Sequence, residues 1–242
     1  MGGTLSHTRS DLVTRGTLQL IASPSATDTW KPIPHFDLVH AIDRQLLVRG
    51  ITIQKEAFAL QREGMRLFGV LDLAYETTAD YCAALGIRTA NDRTMALEIC
   101  VGITVTVCDN MMFSGDVIAL RRKHTAKFDL NADISRAIDA YLKHLQMLRG
   151  QIEGLRERPL ADDEAALMIV RAFREEILPV RLFRAVSDTY FNPNPEMADV
   201  AARTQWGLSN AFTRAVKQLA PAPAFEATTK LGRLFGLTSR GQ

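Results

Sequence analysis

The feature that most constrains the fold is a strict two-residue alternation that runs from Met95 to Val107. Its large apolar positions are Met95, Leu97, Ile99, Val101, Ile103, Val105 and Val107. The positions between them, from Ala96 to Cys108, are smaller or more polar. Because successive side chains of a β-strand point to opposite faces of a sheet, this pattern predicts a long strand with one buried face and one smaller, more polar face.

Shorter segments on both sides of this strand predict further antiparallel strands. Residues 51–60 and 65–75 flank a polar turn, and together they predict a β-hairpin. In the first of these strands the alternation changes parity near Lys55, which a β-bulge would correct. The remaining strands of the predicted meander are residues 81–87 and 117–122.

Helical periodicity precedes and follows this predicted sheet. Apolar side chains recur at helical spacing from Phe36, and Gly50 supplies a C-terminal stop, so one helix is predicted before the sheet. The helices predicted after the sheet run to Leu148 from a cap at Asn131, from Ala165 to Leu178, and from Glu196 to Leu219. Pro221 and Pro223 are predicted to end the last helix, and a short tail follows.

The sequence therefore predicts an α+β protein. Its antiparallel β-meander sheet has one preceding helix and a helical C-terminal half packed on one face. The 242 residues, of which 47% are apolar and 23% charged, have the composition of an ordinary globular chain. We predict an N-terminal arm at 1–30, a single domain at 31–220 and a basic tail at 221–242. Within the domain, the sheet core covers about 51–125 and the helical part about 131–220.

Composition also limits the environment and the chemistry. The three cysteines form no C-x-x-C pair, and their odd number favours a reducing compartment over a disulfide framework. No signal peptide is recognised, and no apolar run approaches the roughly 20 residues of a membrane helix. We expect a soluble cytoplasmic protein that binds no membrane. Standard catalytic, metal and cofactor motifs are missing, so we predict no cofactor, no metal site and a non-catalytic role.

The net charge of +2 conceals an uneven distribution along the chain. Residues 203–242 hold six basic residues against Glu226 alone, whereas residues 76–120 hold six acidic residues against two arginines. Neighbouring cations can neutralise neighbouring phosphates, although cations at the end of an edge strand also serve to prevent aggregation. The candidate nucleic-acid-binding residues are Arg121, Arg122, Lys123, His124, Arg214 and Lys217.

Polar residues also gather where strands are predicted to end. Their ordinary interpretation is that they form turns, because Asn and Asp side chains hydrogen-bond their own backbone. The alternative is a polar cluster of unknown role, whose members are Asn91, Asp92, Cys108, Asn110, Thr125 and Asn210. An enzyme built from this set would need Asn91, Cys108, Asn110 and His124 to meet in one cleft.

The same polar residues resemble a family of phage- and plasmid-like proteins catalogued as domain of unknown function nine-three-two. That family has an Asn-rich turn after a strand, a strand ending Val-x-Cys-x-Asn, and a His-Thr pair. Here these look like Asn91-Asp92, Val105 to Asn110, and His124-Thr125. Residues 204–213 are similar to the family's helix with an aromatic residue, an Asn-Ala pair and a following Thr. The likeness covers about 30–220 and implies an association with mobile elements, without implying a reaction.

Three functions therefore stay open. The first is a non-catalytic accessory protein of a phage or plasmid that binds DNA, single-stranded DNA included, through its basic segments. The second is an inhibitor of a host defence system, such as an anti-CRISPR protein, that binds a host protein complex. Its acidic residues 76–120 would then imitate nucleic acid. The third is an enzyme of unknown reaction.

Overall fold

The chain forms a six-stranded sheet with helices before and after it. The computed structural model describes residues 12–75, 81–105, 110–125, 127–194 and 202–237. Within these ranges the strands are β1 (Leu12–Val13), β2 (Ile53–Gln61), β3 (Arg66–Leu73), β4 (Tyr81–Ala90), β5 (Leu97–Val105) and β6 (Asn110–Arg122). The helices are α1 (Arg15–Leu20), α2 (His35–Val48), α3 (Leu130–Glu157), α4 (Asp162–Arg174), α5 (Phe183–Phe191), α6 (Gln205–Val216) and α7 (Pro221–Leu234). A short 3-10 turn, Val180–Leu182, precedes α5.

The strands lie in chain order and each pairs antiparallel with the next, which confirms the predicted meander. The predicted bulge is present, because the register between β2 and β3 shifts between Ile53 and Lys55. β6 begins at Asn110, seven residues earlier than the strand predicted from residue 117. β1 pairs with β2 at the edge of the sheet, within the segment predicted to be an arm.

One face of the sheet carries the main core. Ile99, Val101 and Ile103 of β5 are fully buried on this face, as their alternation predicts. α3 contacts β5, β6, α2 and α6. The hydroxyl of Tyr141 in α3 donates a hydrogen bond of 3.2 Å to the carbonyl oxygen of Ala84 in β4. The helical C-terminal half is therefore packed on the sheet, which confirms the predicted fold class.

The opposite face of the sheet is smaller and more polar, as predicted, but it is buried as well. Glu98 and Cys100 are only 3% and 2% exposed. Phe225 of α7 forms a second apolar cluster there with Ala59, Val70 and Cys100. α7 also contacts β6. Part of the second face is thus covered by the segment that the sequence assigned to a tail.

The interpretation of the residues after Pro221 as a tail is wrong. Proline is tolerated in the first turn of a helix because the N–H group that it lacks has no helical partner there. Pro221 accordingly begins α7, which continues to Leu234. The same proline signal that was expected to end one helix therefore starts the next.

The predicted helix from Glu196 to Leu219 is wrong at its start. The Oγ1 atom of Thr204 accepts a hydrogen bond of 3.2 Å from the backbone N–H of Gly207, so Thr204 caps a helix that begins at Gln205. Residues 195–201 lie outside the described part of the chain.

Other helix boundaries also differ from the predictions. Asp129, and not Asn131, caps α3, because its Oδ1 atom accepts a hydrogen bond of 2.9 Å from the N–H of Ala132. α3 continues past the predicted end at Leu148, α4 ends before Leu178, and α5 was not predicted. Among the described helices, none has both the length and the apolar character needed to cross a bilayer.

Candidate nucleic-acid interface

A cavity of about 690 Å³ lies at the end of the sheet where β4 turns into β5 and where β6 ends. Thr29 and Trp30, in the segment before α2, form one side of this cavity. We call it the Trp30 cavity; its lining residues are Thr29, Trp30, Arg93, Thr94, Met95, Ala96, Arg121, Lys123, His124 and Thr125. Three cationic side chains are among them, and no carboxylate is. This combination favours a negatively charged ligand.

Trp30 contacts two other side chains. The guanidinium carbon of Arg93 lies 4.6 Å from the centre of one Trp30 ring. The His124 ring is nearly parallel to Trp30, at 9° and 6.2 Å between centroids. The backbone holds this arrangement, because Trp30 forms a β-bridge with Thr125 and the N–H of Lys31 donates to the carbonyl oxygen of His124.

Asn91 ties this segment to the sheet. Its Oδ1 atom accepts a hydrogen bond of 3.0 Å from the N–H of Ile33, and its Nδ2 atom donates one of 3.0 Å to the carbonyl oxygen of Ile33. Its own N–H donates to the carbonyl oxygen of Met65 at 2.7 Å. Because Asn91 is only 5% exposed, these contacts give it a structural role.

Asp92 shapes the turn between β4 and β5. Its Oδ2 atom accepts a hydrogen bond of 2.7 Å from Arg66, and its Oδ1 atom accepts from both the N–H and the hydroxyl of Thr94. Burial opposes ionisation, but the hydrogen bonds from Thr94 and Arg66 outweigh it and hold the pKa of Asp92 below its usual value. The carboxylate is therefore committed to the turn, which presents Arg93 at a φ of 65°.

His124 is buried and supplies no cation, contrary to its place in the predicted basic set. Its Nε2 atom shares a hydrogen bond of 2.9 Å with the Thr89 hydroxyl. Burial, together with the nearby His35 ring, lowers the pKa of His124 to about 4, so the ring is neutral near pH 7. His35 is buried too; its Nε2–H group donates to the carbonyl oxygen of Gly64 at 2.8 Å, and burial lowers its pKa.

The two arginines of the basic run are paired with buried carboxylates. Arg121 lies 3.1 Å from Glu98, whose other oxygen accepts a hydrogen bond of 2.6 Å from Arg88. Arg122 donates to Asp133 of α3 at 3.0 Å. Arg121 is 70% exposed and lines the cavity. Arg122 instead lies next to α3, where it is paired with Asp133. The basic run therefore divides over the two faces of the sheet.

Lys123 and Thr125 are exposed in the cavity wall. No described carboxylate forms an ion pair with Lys123 or Arg93. These two cations are thus available to a ligand, and Arg121 is shared with Glu98. The hydroxyl of Thr125 adds a hydrogen-bonding group beside them.

The remaining predicted residues lie elsewhere. Arg214 and Lys217 are half-buried at the end of α6, where both interact with other residues of the chain, and neither lines the cavity. Asn210 is fully buried in α6. Arg214, Lys217 and Asn210 are therefore separate from the Trp30 cavity.

Asn110 cannot meet Asn91 and His124 in one cleft. It pairs with Val105, at the end of β5 opposite the turn that holds Asn91. A strand of nine residues separates the two ends by roughly 26 Å. Asn110 therefore lies apart from Asn91 and His124, and Cys108 lies outside the described residues. Over the described ranges, no group of three or more His, Cys, Asp or Glu residues could hold a metal ion.

Sequence reasoning missed Trp30 and Arg93 as parts of the site. Trp30 was placed at the end of the predicted arm, and Arg93 was treated as part of a turn. The available signal was a cation next to Asn91-Asp92 and a tryptophan just before Pro32. Only the folded structure brings the Arg93 guanidinium to 4.6 Å from the Trp30 ring.

The chain was compared with known protein families. The family described as Domain of unknown function (DUF932) matches residues 24–234. The chain belongs to this family. Comparison with curated proteins and with solved structures gave no match.

The DUF932 match confirms the resemblance and extends through α7, beyond the predicted domain end at residue 220. Of the motifs that carried the resemblance, His124-Thr125 lines the Trp30 cavity, and Asn91-Asp92 lies in the turn that presents Arg93 to it. The motif that ends at Asn110 belongs to the opposite end of the sheet. The motifs of this DUF932 chain therefore do not form a single site.

Proposed function

We propose that this protein is a non-catalytic accessory protein of a phage or plasmid that binds single-stranded DNA at the Trp30 cavity. The observation that carries the proposal is the cavity lining, which has three cations and no carboxylate. Phosphate groups are the ligands that such a lining favours, because Lys and Arg neutralise them and displace their counterions.

The three cations of the cavity differ in whether a carboxylate is already paired with them. Arg93 and Lys123 have no ion-pair partner among the described residues, whereas Arg121 is shared with Glu98. His124 is neutral near pH 7 and contributes no charge. We therefore expect two strong phosphate contacts and a third, weaker one at Arg121.

The shape of the site supports a single strand. A cavity of about 690 Å³ has the size of pockets that enclose small ligands, so it can accept one nucleotide of a flexible strand. A stiff duplex would contact only the rim of the cavity and would leave its lining unused.

The test measures binding of a labelled oligothymidine of about 15 nucleotides by fluorescence anisotropy at rising salt. Contacts to two or three phosphates of a single strand predict a slope of log affinity against log salt between about −1.4 and −2.1. K123A removes one contact, so we expect weaker binding at low salt and a slope smaller by about 0.7.

The matched control is K143A, because Lys143 is exposed on α3 and lies outside the cavity lining. It should bind DNA as the unmodified protein does. Absence of binding at low salt, or equal loss in K123A and K143A, would contradict the proposal.

A second candidate, the inhibitor that binds a host defence complex, is supported by exposed apolar side chains. Leu167 of α4 and Val180 of the 3-10 turn are 71% and 75% exposed. Imitation of nucleic acid has less support, since Glu98 is buried between two arginines and Asp92 is bound to Arg66. Pull-down of a stable host complex that L167D abolishes, together with absence of DNA binding, would favour this candidate.

A further inference from the structure

The Trp30 ring has two neighbouring side chains. The His124 ring is nearly parallel to it at 6.2 Å between centroids, is 4% exposed, and is held by its hydrogen bond to Thr89. The guanidinium of Arg93, an exposed residue, lies over the Trp30 ring. Trp30 is thus an aromatic surface that a single exposed side chain covers.

The cover is held weakly. None of the described carboxylates pairs with Arg93, so its contact is the cation–π interaction with Trp30 at 4.6 Å. At an exposed position such a contact is weaker than a charge-assisted hydrogen bond from Arg to phosphate. A phosphate in the Trp30 cavity would therefore attract Arg93 away from the ring.

The backbone below Arg93 is better fixed than its side chain. Asp92 binds both the N–H and the hydroxyl of Thr94, and Arg66 binds the same carboxylate. The turn can therefore stay in place while the Arg93 side chain changes its rotamer.

We infer that Trp30 is a base-stacking position, covered by Arg93 in the free protein and exposed to a base when Arg93 moves to a phosphate of the bound strand. This inference rests on the proposed function and names the group that the cavity would recognise. Stacking on an aromatic ring accepts every base, so the site would bind single strands without strong sequence preference.

The experiment uses tryptophan fluorescence in the full-length W206F variant. The chain has two tryptophans, and Trp206 is 5% exposed beside Tyr81, so phenylalanine there keeps an aromatic ring in the core and leaves Trp30 as the reporter. We expect oligothymidine to quench Trp30 emission as it binds. An abasic strand of the same length should bind at least about 5-fold more weakly and leave the emission unchanged.

Two substitutions at Trp30 separate stacking from folding. W30F keeps an aromatic ring and should retain a preference for oligothymidine over the abasic strand. W30L keeps the backbone bridge to Thr125 but removes the ring, so it should bind both strands equally. If W206F does not fold, the same comparison of strands by anisotropy with W30F and W30L decides the question.

R93A removes the side chain that lies over Trp30 in the free protein. It should reduce the salt slope by about 0.7 while the preference for oligothymidine over the abasic strand is kept, because Trp30 stays available. Equal affinity of the two strands for the unmodified protein, with the salt slope intact, would overturn the stacking inference and leave the proposed function standing. Absence of oligothymidine binding at low salt would overturn both.

Discussion

Asn91 illustrates how a polar residue that marks a candidate site can act by assembling it. Its side chain pairs with both backbone groups of Ile33, and its N–H reaches Met65. Asn91 lies in the turn after β4, and it thus joins this turn to the segment before α2 and to the β2–β3 turn. The polar turn chemistry was predictable from the sequence, but the partners were not.

We predict that N91A lowers the free energy of unfolding by about 2–4 kcal/mol. The substitution leaves the buried N–H and carbonyl groups of Ile33 without partners. Urea unfolding followed by circular dichroism measures the change. Q218A, at an exposed position after α6, is the control and should change stability by less than about 0.5 kcal/mol. An N91A protein as stable as this control would refute the structural role.

His124 makes stability depend on pH in a definite direction. Its pKa is about 4 in the folded protein and near 6.5 when unfolded, so the unfolded state binds more protons between these values. Stability should therefore fall as the pH drops from about 6.5 to 4.5, by about 2–3 kcal/mol from His124, with a change of the same sign from His35.

Urea unfolding at pH 7 and at pH 4.5 measures this dependence. H124Q keeps a group that can bind Thr89 but does not titrate, so its pH dependence should be smaller. H40Q, at an exposed position of α2, should keep the full dependence. Equal pH dependence in H124Q and the unmodified protein would exclude His124 as the source.

At the scale of the elements, the sequence predicts best where one local pattern decides the structure. The alternation in β5 and the parity change near Lys55 determine strand faces and a bulge, and both are confirmed. The start of α6 depends on the cap at Thr204, which also forms a β-bridge with Pro159. Apolar periodicity alone does not detect this cap and places the start of the helix earlier, at Glu196. Proline is ambiguous, since it ends some helices and begins others, and α7 was missed for that reason.

We predict that F225A destabilises the protein by about 3–4 kcal/mol. Phe225 is 7% exposed and joins α7 to Ala59, Val70 and Cys100 on the second face of the sheet, so truncation leaves a cavity there. Thermal and urea unfolding measure the effect. E226A, one residue along α7, removes only an exposed ion pair with Lys230 and should cost less than about 0.5 kcal/mol.

At the scale of the whole molecule, the Trp30 cavity needs residues that are far apart in the chain. Thr125 and His124 were predicted as candidates because they end a strand, whereas Trp30 and Arg93 became recognisable only when the strands were paired. Likewise, the uneven distribution of charge along the chain was predictable from the sequence, but the ion pairs between particular arginines and carboxylates were not. Glu98 and Asp133 form ion pairs with arginines that the sequence assigned to nucleic acid.

The whole-molecule prediction concerns the C-terminal boundary. A chain ending at residue 220 lacks α7 and loses the buried side chains of Phe225, Ala227 and Leu231. We expect it to lose cooperative thermal unfolding and to bind a hydrophobic dye. A chain ending at residue 237 keeps α7 and is the control. Cooperative unfolding of the shorter chain would instead support the domain end predicted at residue 220.

The bridge between Trp30 and Thr125 has a consequence for the order in which the protein assembles. About 95 residues separate its two partners, so closing this contact is entropically costly until the intervening strands have formed. During synthesis, Trp30 leaves the ribosome long before His124. The Trp30 cavity should therefore be completed late, and it should open by local fluctuations while the sheet stays intact.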